Sequence, residues 1–538
     1  MFSPRRRNFL HQMATAGMAW SSNLLFGRLL AAQSKRTGGQ EPARIYVDSR
    51  RQIAALGPNL FGSFLEHLGR AIYGGIYEPG SKLSDADGFR IDTMDQVRKL
   101  GVPIIRYPGG NFVSGYNWLD GVGPKKDRPV TMDRAWNSIE TNQFGTNEFL
   151  AWCKAVGTRP LMGLNLGTGT PEQAAALVEY CNVDNGTEWS DLRRKHGYPE
   201  AYHIQHWCLG NEMDGPWQIG HMSATDYGFK AADAARQMRY VDPSIKLIAC
   251  GSSGPFMATY LEWDRDVLEQ CYPYVDGLSL HRYFGNTPEE TGGDSSKYVA
   301  LNLTMDRQIE QTLAVCDMVQ GQLRSPKQLW LSFDEWNVWY RERDGNGHRK
   351  AAPHLLEEVY NLEDALLVGG LVNSLLRHAD RVKIACLAQL VNVIAPIMTN
   401  ENSLYLQTIF YPYSWGLHYA RGAVLNVLTE SPTYEVSGMG QVPCLDVVGT
   451  KADDGTVSLF ILNRDLSKDH SVEVNWEDPA PGPVLTSLVL TGDDLKAFNS
   501  FEAPRRVIPR ELEKPATSGV RTRFEVPARS YAIVQWGA

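Results

Sequence analysis

Between about residues 57 and 404, short apolar runs alternate with stretches whose apolar positions recur every three to four residues. The first pattern is that of strands buried on both faces, and the second is that of helices burying one face. Their alternation predicts repeated βα units around a parallel sheet. Eight runs qualify as strands, at 60–66, 102–107, 160–165, 204–209, 245–250, 277–281, 328–334 and 383–389. Amphipathic segments at 92–100, 148–156, 171–181 and 226–240 suit helices outside them. The predicted fold is of the α/β class, a closed (β/α)8 TIM barrel over 57–404.

From residue 405 to 538 the period changes to two, with turn signals between short apolar runs, as in Cys444 to Gly449 and Val457 to Asn463. This predicts a C-terminal all-β sandwich, jelly-roll-like in character. Residues 43–56 also read as extended and are expected to join that sandwich, tying both ends of the chain together.

Composition narrows the function. The chain is 43% hydrophobic and 21% charged with a net charge of -8, and no long basic run occurs, which argues against a nucleic-acid partner. Fourteen Trp and 23 Tyr suit stacking on sugar rings, although most aromatics of any chain belong to its core. The eight cysteines are scattered and lie mostly in apolar segments, which predicts buried free thiols. No CxxC pair and no HExxH occurs, so no metal and no cofactor is expected.

Residues 1–32 combine Arg5-Arg6-Arg7 with Phe9-Leu10 and a moderately apolar stretch, the architecture of a twin-arginine export signal. This leads to an expectation of a periplasmic or secreted protein without membrane insertion, and of a cytoplasmic one if the signal does not function. Arg5 and His11 stand where a hydroxyl and a lysine are usual, Arg28 interrupts the apolar run, and no clean cleavage site is visible.

A barrel of this kind builds its active site at the C-terminal ends of its strands. Those ends carry Glu66 and His67, then Arg106 and Asn111, Asn165, Asn211 and Glu212, His281 and Tyr283, Glu335 and Trp336, and finally Gln389 and Asn392. Each alone reads as an ordinary loop or satisfied buried polar residue; together they mark one polar mouth. Glu212 and Glu335, on strands four and seven, face each other across it. Glycoside hydrolysis needs such a pair, one to protonate the departing oxygen and one to attack the anomeric carbon. Asn211 is placed to donate to a sugar hydroxyl. His281 and Tyr283 are placed to hold Glu335 ionised, His281 either by touching ligand or from behind.

Arg106-Tyr107-Pro108-Gly109-Gly110-Asn111-Phe112, the stretch from Trp207 through Asn211-Glu212 to Trp217, and Phe333-Asp334-Glu335-Trp336-Asn337-Val338-Trp339 resemble the signatures of glycoside hydrolase family 51, the α-L-arabinofuranosidases. The resemblance runs from about residue 44 through the barrel and more loosely through the sandwich. It implies retaining exo-hydrolysis of arabinofuranose-containing substrates without a metal, and often a homohexamer. It makes Glu212 the acid/base and Glu335 the nucleophile. It gives Glu66, Asn111 and Asn211 contacts to sugar hydroxyls, gives Tyr283 a bond to the nucleophile and places Gln389 at the closed end of the subsite. Arg106, His281 and Trp336 remain in supporting positions.

Three rival readings start from the same residues. Retaining β-glycosidases and endoglucanases use the same barrel with glutamates on strands four and seven. A non-catalytic sugar-binding protein would not require both Glu212 and Glu335. A metal-dependent hydrolase built on His67, His281 and Asp334 lacks the paired histidines that open such sites.

Overall fold

In a computed structural model of the chain, residues 42–477 and 480–538 are described. The export segment at 1–32 lies outside them. Eight parallel strands close the barrel in chain order: Gly62–Phe64, Ile104–Tyr107, Arg159–Gly163, His206–Leu209, Lys246–Ala249, Gly277–Phe284, Trp330–Val338 and Val382–Leu387. Closure comes from the eighth strand pairing with the first, Cys386 beside Gly62 and Leu387 beside Ser63. Each expected run overlaps one of these strands, with bounds that differ by up to four residues, because a strand covered on one side by helices and on the other by barrel core is apolar throughout.

The outer helices follow from capping and periodicity. In Pro171–Asn182, Thr170 accepts from the Gln173 backbone N–H while the Gln173 side chain reaches back, and Pro171 occupies the first turn, where its missing N–H is harmless. Ala224–Val241 buries Tyr227, Ala231, Ala234, Ala235 and Met238, one stripe at helical spacing. The Tyr227 hydroxyl donates to the Leu209 carbonyl and accepts from the Cys250 N–H, both at 2.7 Å, which joins this helix to the ends of strands four and five.

Most of the remaining strands form a sandwich of a five-stranded and a seven-stranded sheet, and the others pair off in three two-stranded ribbons. Ala43–Val47 enters the first, parallel to His470–Trp476, and Gln52–Ala55 enters the second beside Ala423–Leu425. Both ends of the described chain thus close one β domain, whose core includes Ile45, Leu459, Ile461, Val474 and Val534.

Sandwich and barrel meet around a buried charge. Asp446 accepts from Arg377 at 2.6 Å and Asn302 at 2.9 Å and also binds Arg464, whose guanidinium reaches Asn302 at 2.7 Å. Burial alone would raise the Asp446 carboxyl, but the two guanidiniums outweigh it and hold the group far below the usual carboxylate range.

All eight cysteines are free and buried. Among the described residues no helix is long and apolar enough to cross a membrane.

Candidate active site

The C-terminal ends of the barrel strands open into a cavity of about 1010 Å3, lined by Glu66, Asn111, Glu212, Tyr283, Glu335 and Gln389 among others. One oxygen of Glu212, one of Glu335 and a ring nitrogen of His281 lie within 4.8 Å of one another.

Glu335 lies within strand seven, three residues before its end. Arg106 Nη1 donates to its Oε1 at 2.5 Å and the Tyr283 hydroxyl donates to its Oε2 at 2.9 Å. Arg106 is 1% exposed, and its other Nη donates to Asn211 Oδ1 at 2.7 Å. One guanidinium fork therefore fixes both the carboxylate and the amide that precedes Glu212. The Asn211 amide nitrogen is left facing Asn111 Oδ1 at 3.4 Å and Gln218 Oε1 at 3.4 Å.

Glu212 follows the fourth strand with a φ of 43°, a left-handed conformation sparsely populated by residues with a Cβ. Two donors hold its side chain there: Trp217 Nε1 at 2.7 Å on Oε2 and His281 Nδ1 at 3.0 Å on Oε1. Burial, reinforced by the charge of Glu335, raises the Glu212 carboxyl above its ordinary value; the His281 and Trp217 bonds oppose the rise.

His281 bridges Glu212 and Asp334, with Nε2 3.1 Å from Asp334 Oδ1, and its Nδ1 is also 3.6 Å from Glu335 Oε2. Burial would lower its pKa, but three surrounding carboxylates push it up to about 10. This environment favours the doubly protonated ring at neutral pH. Each ring nitrogen already has a carboxylate partner, and the spacing of Glu212, His281 and Glu335 would also span an ion. A second metal-capable cluster, Cys444, Asp465 and His470, lies in the sandwich, where Asp465 already accepts from the backbone of Ser467 and Lys468.

Asp334 and Glu335 are neighbours in sequence, yet both reach Arg106 and His281. Strict alternation along a strand forbids this. The pairing of strand seven is irregular between Phe333 and Trp336 on one side and opposite Ser279 to His281 on the other, and these bulges turn both carboxylates inward. Arg106 lowers the Asp334 carboxyl against strong desolvation.

Glu66 accepts from the Phe112 N–H and Trp136 Nε1, both at 2.9 Å, while Gln389 receives the Glu66 backbone N–H at 3.1 Å and approaches Glu66 Oε2 at 3.3 Å. Burial pushes the Glu66 carboxyl up to about 8, with the two N–H donors pulling the other way. Two glycines make room: a Cβ on Gly109, where φ is 139°, would stand 2.3 Å from Glu66 Cγ, and one on Gly110 would stand 3.1 Å from Glu335 Oε1.

Glu66, Asn111, Asn211, Tyr283, Gln389, Arg106 and His281 therefore converge with the two glutamates. Trp336 does not. It is fully buried, turned away from the cavity, with its ring 6.4 Å from that of Tyr413. His67 is also apart, held by Glu140 at 2.7 Å and Tyr107 at 2.7 Å, so it cannot share an ion with His281 and Asp334. Trp136 and Trp217 were not singled out for binding or catalysis in the sequence, and Asp334 entered only as a ligand in the rival metal reading. Signals existed for Trp217, five residues after Glu212, and for Asp334, next to Glu335, but none for Trp136.

Two family models match, the α-L-arabinofuranosidase 1 domain over residues 96–289 and the α-L-arabinofuranosidase C-terminal domain over residues 334–530. The chain is 48% identical over 474 residues to the intracellular exo-α-(1→5)-L-arabinofuranosidase 1 of Bacillus subtilis, covering 87% of this chain and 93% of that one. It is 43% identical to an exo-α-(1→6)-L-arabinofuranosidase of Bifidobacterium longum, covering 89% and 93%. The solved structure of a family 51 α-L-arabinofuranosidase from Bifidobacterium longum superposes with a TM-score of 0.87 at 37% identity, covering 92% and 99%.

These relatives overturn the expectation of a periplasmic or secreted protein, since the Bacillus enzyme and others 45–46% identical are named intracellular. The Arg6-Arg7 pair was a partial pattern, with Arg28 breaking the apolar stretch that export machinery reads. With its motifs joined in one site, its barrel closed and its relatives matched along nearly their whole length, the chain belongs to glycoside hydrolase family 51, the α-L-arabinofuranosidases.

Proposed function

We propose that this glycoside hydrolase removes terminal α-L-arabinofuranosyl residues from arabinan, arabinoxylan and related oligosaccharides by a retaining, two-glutamate mechanism. The observation that carries the reading is the approach of a Glu212 oxygen to a Glu335 oxygen within 4.8 Å. Retaining enzymes hold their carboxyl groups about 5 to 5.5 Å apart, whereas inverting enzymes need about 6.5 to 9.5 Å to admit a water between them.

In the first step a Glu335 oxygen attacks the anomeric carbon as the bond to the aglycone oxygen breaks, and the Glu212 proton passes to that oxygen. In the second, water attacks the same carbon, Glu212 takes its proton, and the bond to Glu335 breaks. Arg106 and Tyr283 hold Glu335 by one hydrogen bond on each oxygen and aim it. The donors on Glu212 stabilise the carboxylate left after proton transfer, and the protonated form releases one of them. Glu66, Asn111, Asn211 and Gln389 supply the polar contacts for the furanose hydroxyls.

The relatives' names place their activity inside the cell, and we carry that location to this chain in place of export. The deciding experiment incubates the protein with an aryl α-L-arabinofuranoside, with α-(1→5)- and α-(1→6)-linked arabinosides and with carboxymethylcellulose, following the first-formed anomer by NMR. Release of arabinose as the α anomer is expected. Release of the β anomer first, or cleavage of the cellulose derivative alone, overturns the reading.

A further inference from the structure

At about 1010 Å3 the cavity stands at the top of the range that holds drug-sized ligands, so it has room for much more than one pentose. Its inner part is acidic, with Glu66, Glu212 and Glu335. Arg282, Arg343 and Glu290 line the cavity too, and the charges of both guanidiniums act on the Glu290 carboxyl.

A chain of contacts fixes where Arg343 lies. Tyr283 bonds to Glu335, Trp339 packs edge-on against Tyr283 at 5.3 Å, and the Arg343 guanidinium lies over Trp339 at 4.5 Å. It therefore sits two side chains outward from the nucleophile's partner. Arg282, next to Tyr283 on strand six, lies over Phe284 at 5.0 Å and spends one Nη on Thr304 Oγ1 at 3.2 Å.

Among the described residues neither guanidinium has a carboxylate at salt-bridge distance. Arg341, two residues from Arg343, has two, Glu358 and Asp364. Arg282 is largely buried, and its desolvation outweighs the distant pull of Glu290, so its charge is held at a cost. A mostly buried, unpaired guanidinium facing a cavity is the arrangement that a bound anion completes. Glu290 meets only part of the need: its carboxylate accepts from the Gly285 N–H at 2.9 Å, and burial raises it toward its neutral form.

We infer that the outer half of the cavity is an aglycone subsite for a carboxylate, recognised by Arg282 and Arg343, so that arabinofuranose attached next to an acidic sugar residue is the favoured substrate. The inference rests on the function proposed above. The flat aromatic faces of Trp339 and Phe284 keep each guanidinium planar to the approaching carboxylate, and the fork geometry of arginine suits both its oxygens.

The test compares kcat/KM for an arabinofuranosylated oligosaccharide bearing a uronic acid beside the branch with that for its carboxyl-reduced, neutral counterpart. The leaving oxygen is alike in both, so the ratio reads the carboxylate. The wild-type ratio is expected to exceed about tenfold in low salt and to fall as salt is added. Arg343→Gln, on an exposed side chain, should lower it about threefold. Arg282→Gln should lower it about tenfold, and Arg282→Lys, which keeps charge but not the fork, by less. A carboxylated aryl arabinofuranoside against its carboxamide analogue shows whether any carboxylate suffices or only one on a sugar. A wild-type ratio near unity, or a ratio that neither glutamine variant changes, overturns the subsite. If the neutral oligosaccharide is also left uncut, the failure is that of the proposed function instead.

Discussion

Replacing His281 by glutamine removes one positive charge from the middle of the carboxylate cluster while keeping a neutral donor of similar reach. His281 donates to Glu212 Oε1 at 3.0 Å, and a hydrogen bond from a charged donor is worth about 1.5 to 3 kcal/mol. That bond favours ionised Glu212, so its weakening should raise the Glu212 carboxyl further above its ordinary value. The alkaline limb of the rate profile, where Glu212 loses its proton, should move to higher pH for substrates with poor leaving groups.

The same residue predicts a stability effect of definite sign. Its pKa rises from 6.5 unfolded to about 10 folded, so between these values the native state binds the extra proton. The stabilisation is present in full below about pH 6.5 and is lost as pH rises through about 10. At about 1.4 kcal/mol per unit it amounts to something on the order of 5 kcal/mol. Denaturant midpoints of wild type and His281→Gln, measured from pH 6 to pH 10, should converge as pH rises. A difference that stays flat over that window, or an alkaline limb that stays put or moves down, refutes a charged His281.

Other outcomes follow from the same geometry. Glu66 keeps its proton to about pH 8 when folded but releases it near 4.5 when unfolded, so wild-type stability falls across that window; Glu66→Gln, which cannot ionise, should gain on wild type as pH climbs, read from denaturant midpoints. Asp446→Ala strands the buried Arg464 guanidinium at the junction of barrel and sandwich and should lower stability by about 3 to 5 kcal/mol in urea unfolding; a loss below about 1 kcal/mol contradicts the buried-pair account. A thiol reagent should titrate none of the eight cysteines in the native protein and all of them in denaturant, and ready native labelling would show that the buried cysteines are exposed.

The barrel was legible because a doubly covered strand writes an unbroken apolar run, and the glutamates were legible because each stands at the end of such a run. Trp336 shows the limit of that reasoning. Adjacent to Glu335, it was expected at the site, but past the bulge the chain resumes alternation and turns it toward Tyr413. Asp334 was raised only as a metal ligand in a rival reading and not as a partner of Arg106 and His281 for the converse reason: the bulge that brings it beside them has no sequence period. Trp136 reaches Glu66 from a loop 70 residues away, a contact set by how the chain is folded over the mouth rather than by local pattern. The export expectation failed differently, by completing a partial motif from two arginines.

The central claim, that Glu335 attacks and Glu212 transfers the proton, is tested most directly by the products formed in azide. In Glu212→Ala, Glu335 still attacks an activated aryl arabinofuranoside, the covalent intermediate accumulates, and azide displaces Glu335 from the face the aryl group left. The account predicts an arabinosyl azide of retained configuration with partial recovery of a rate lowered by about 10²-fold or more. In Glu335→Gly no covalent intermediate forms, azide occupies the emptied space, and the predicted product is the inverted azide. Inverted azide from Glu212→Ala, or near-normal activity in Glu335→Gly, would contradict the assignment.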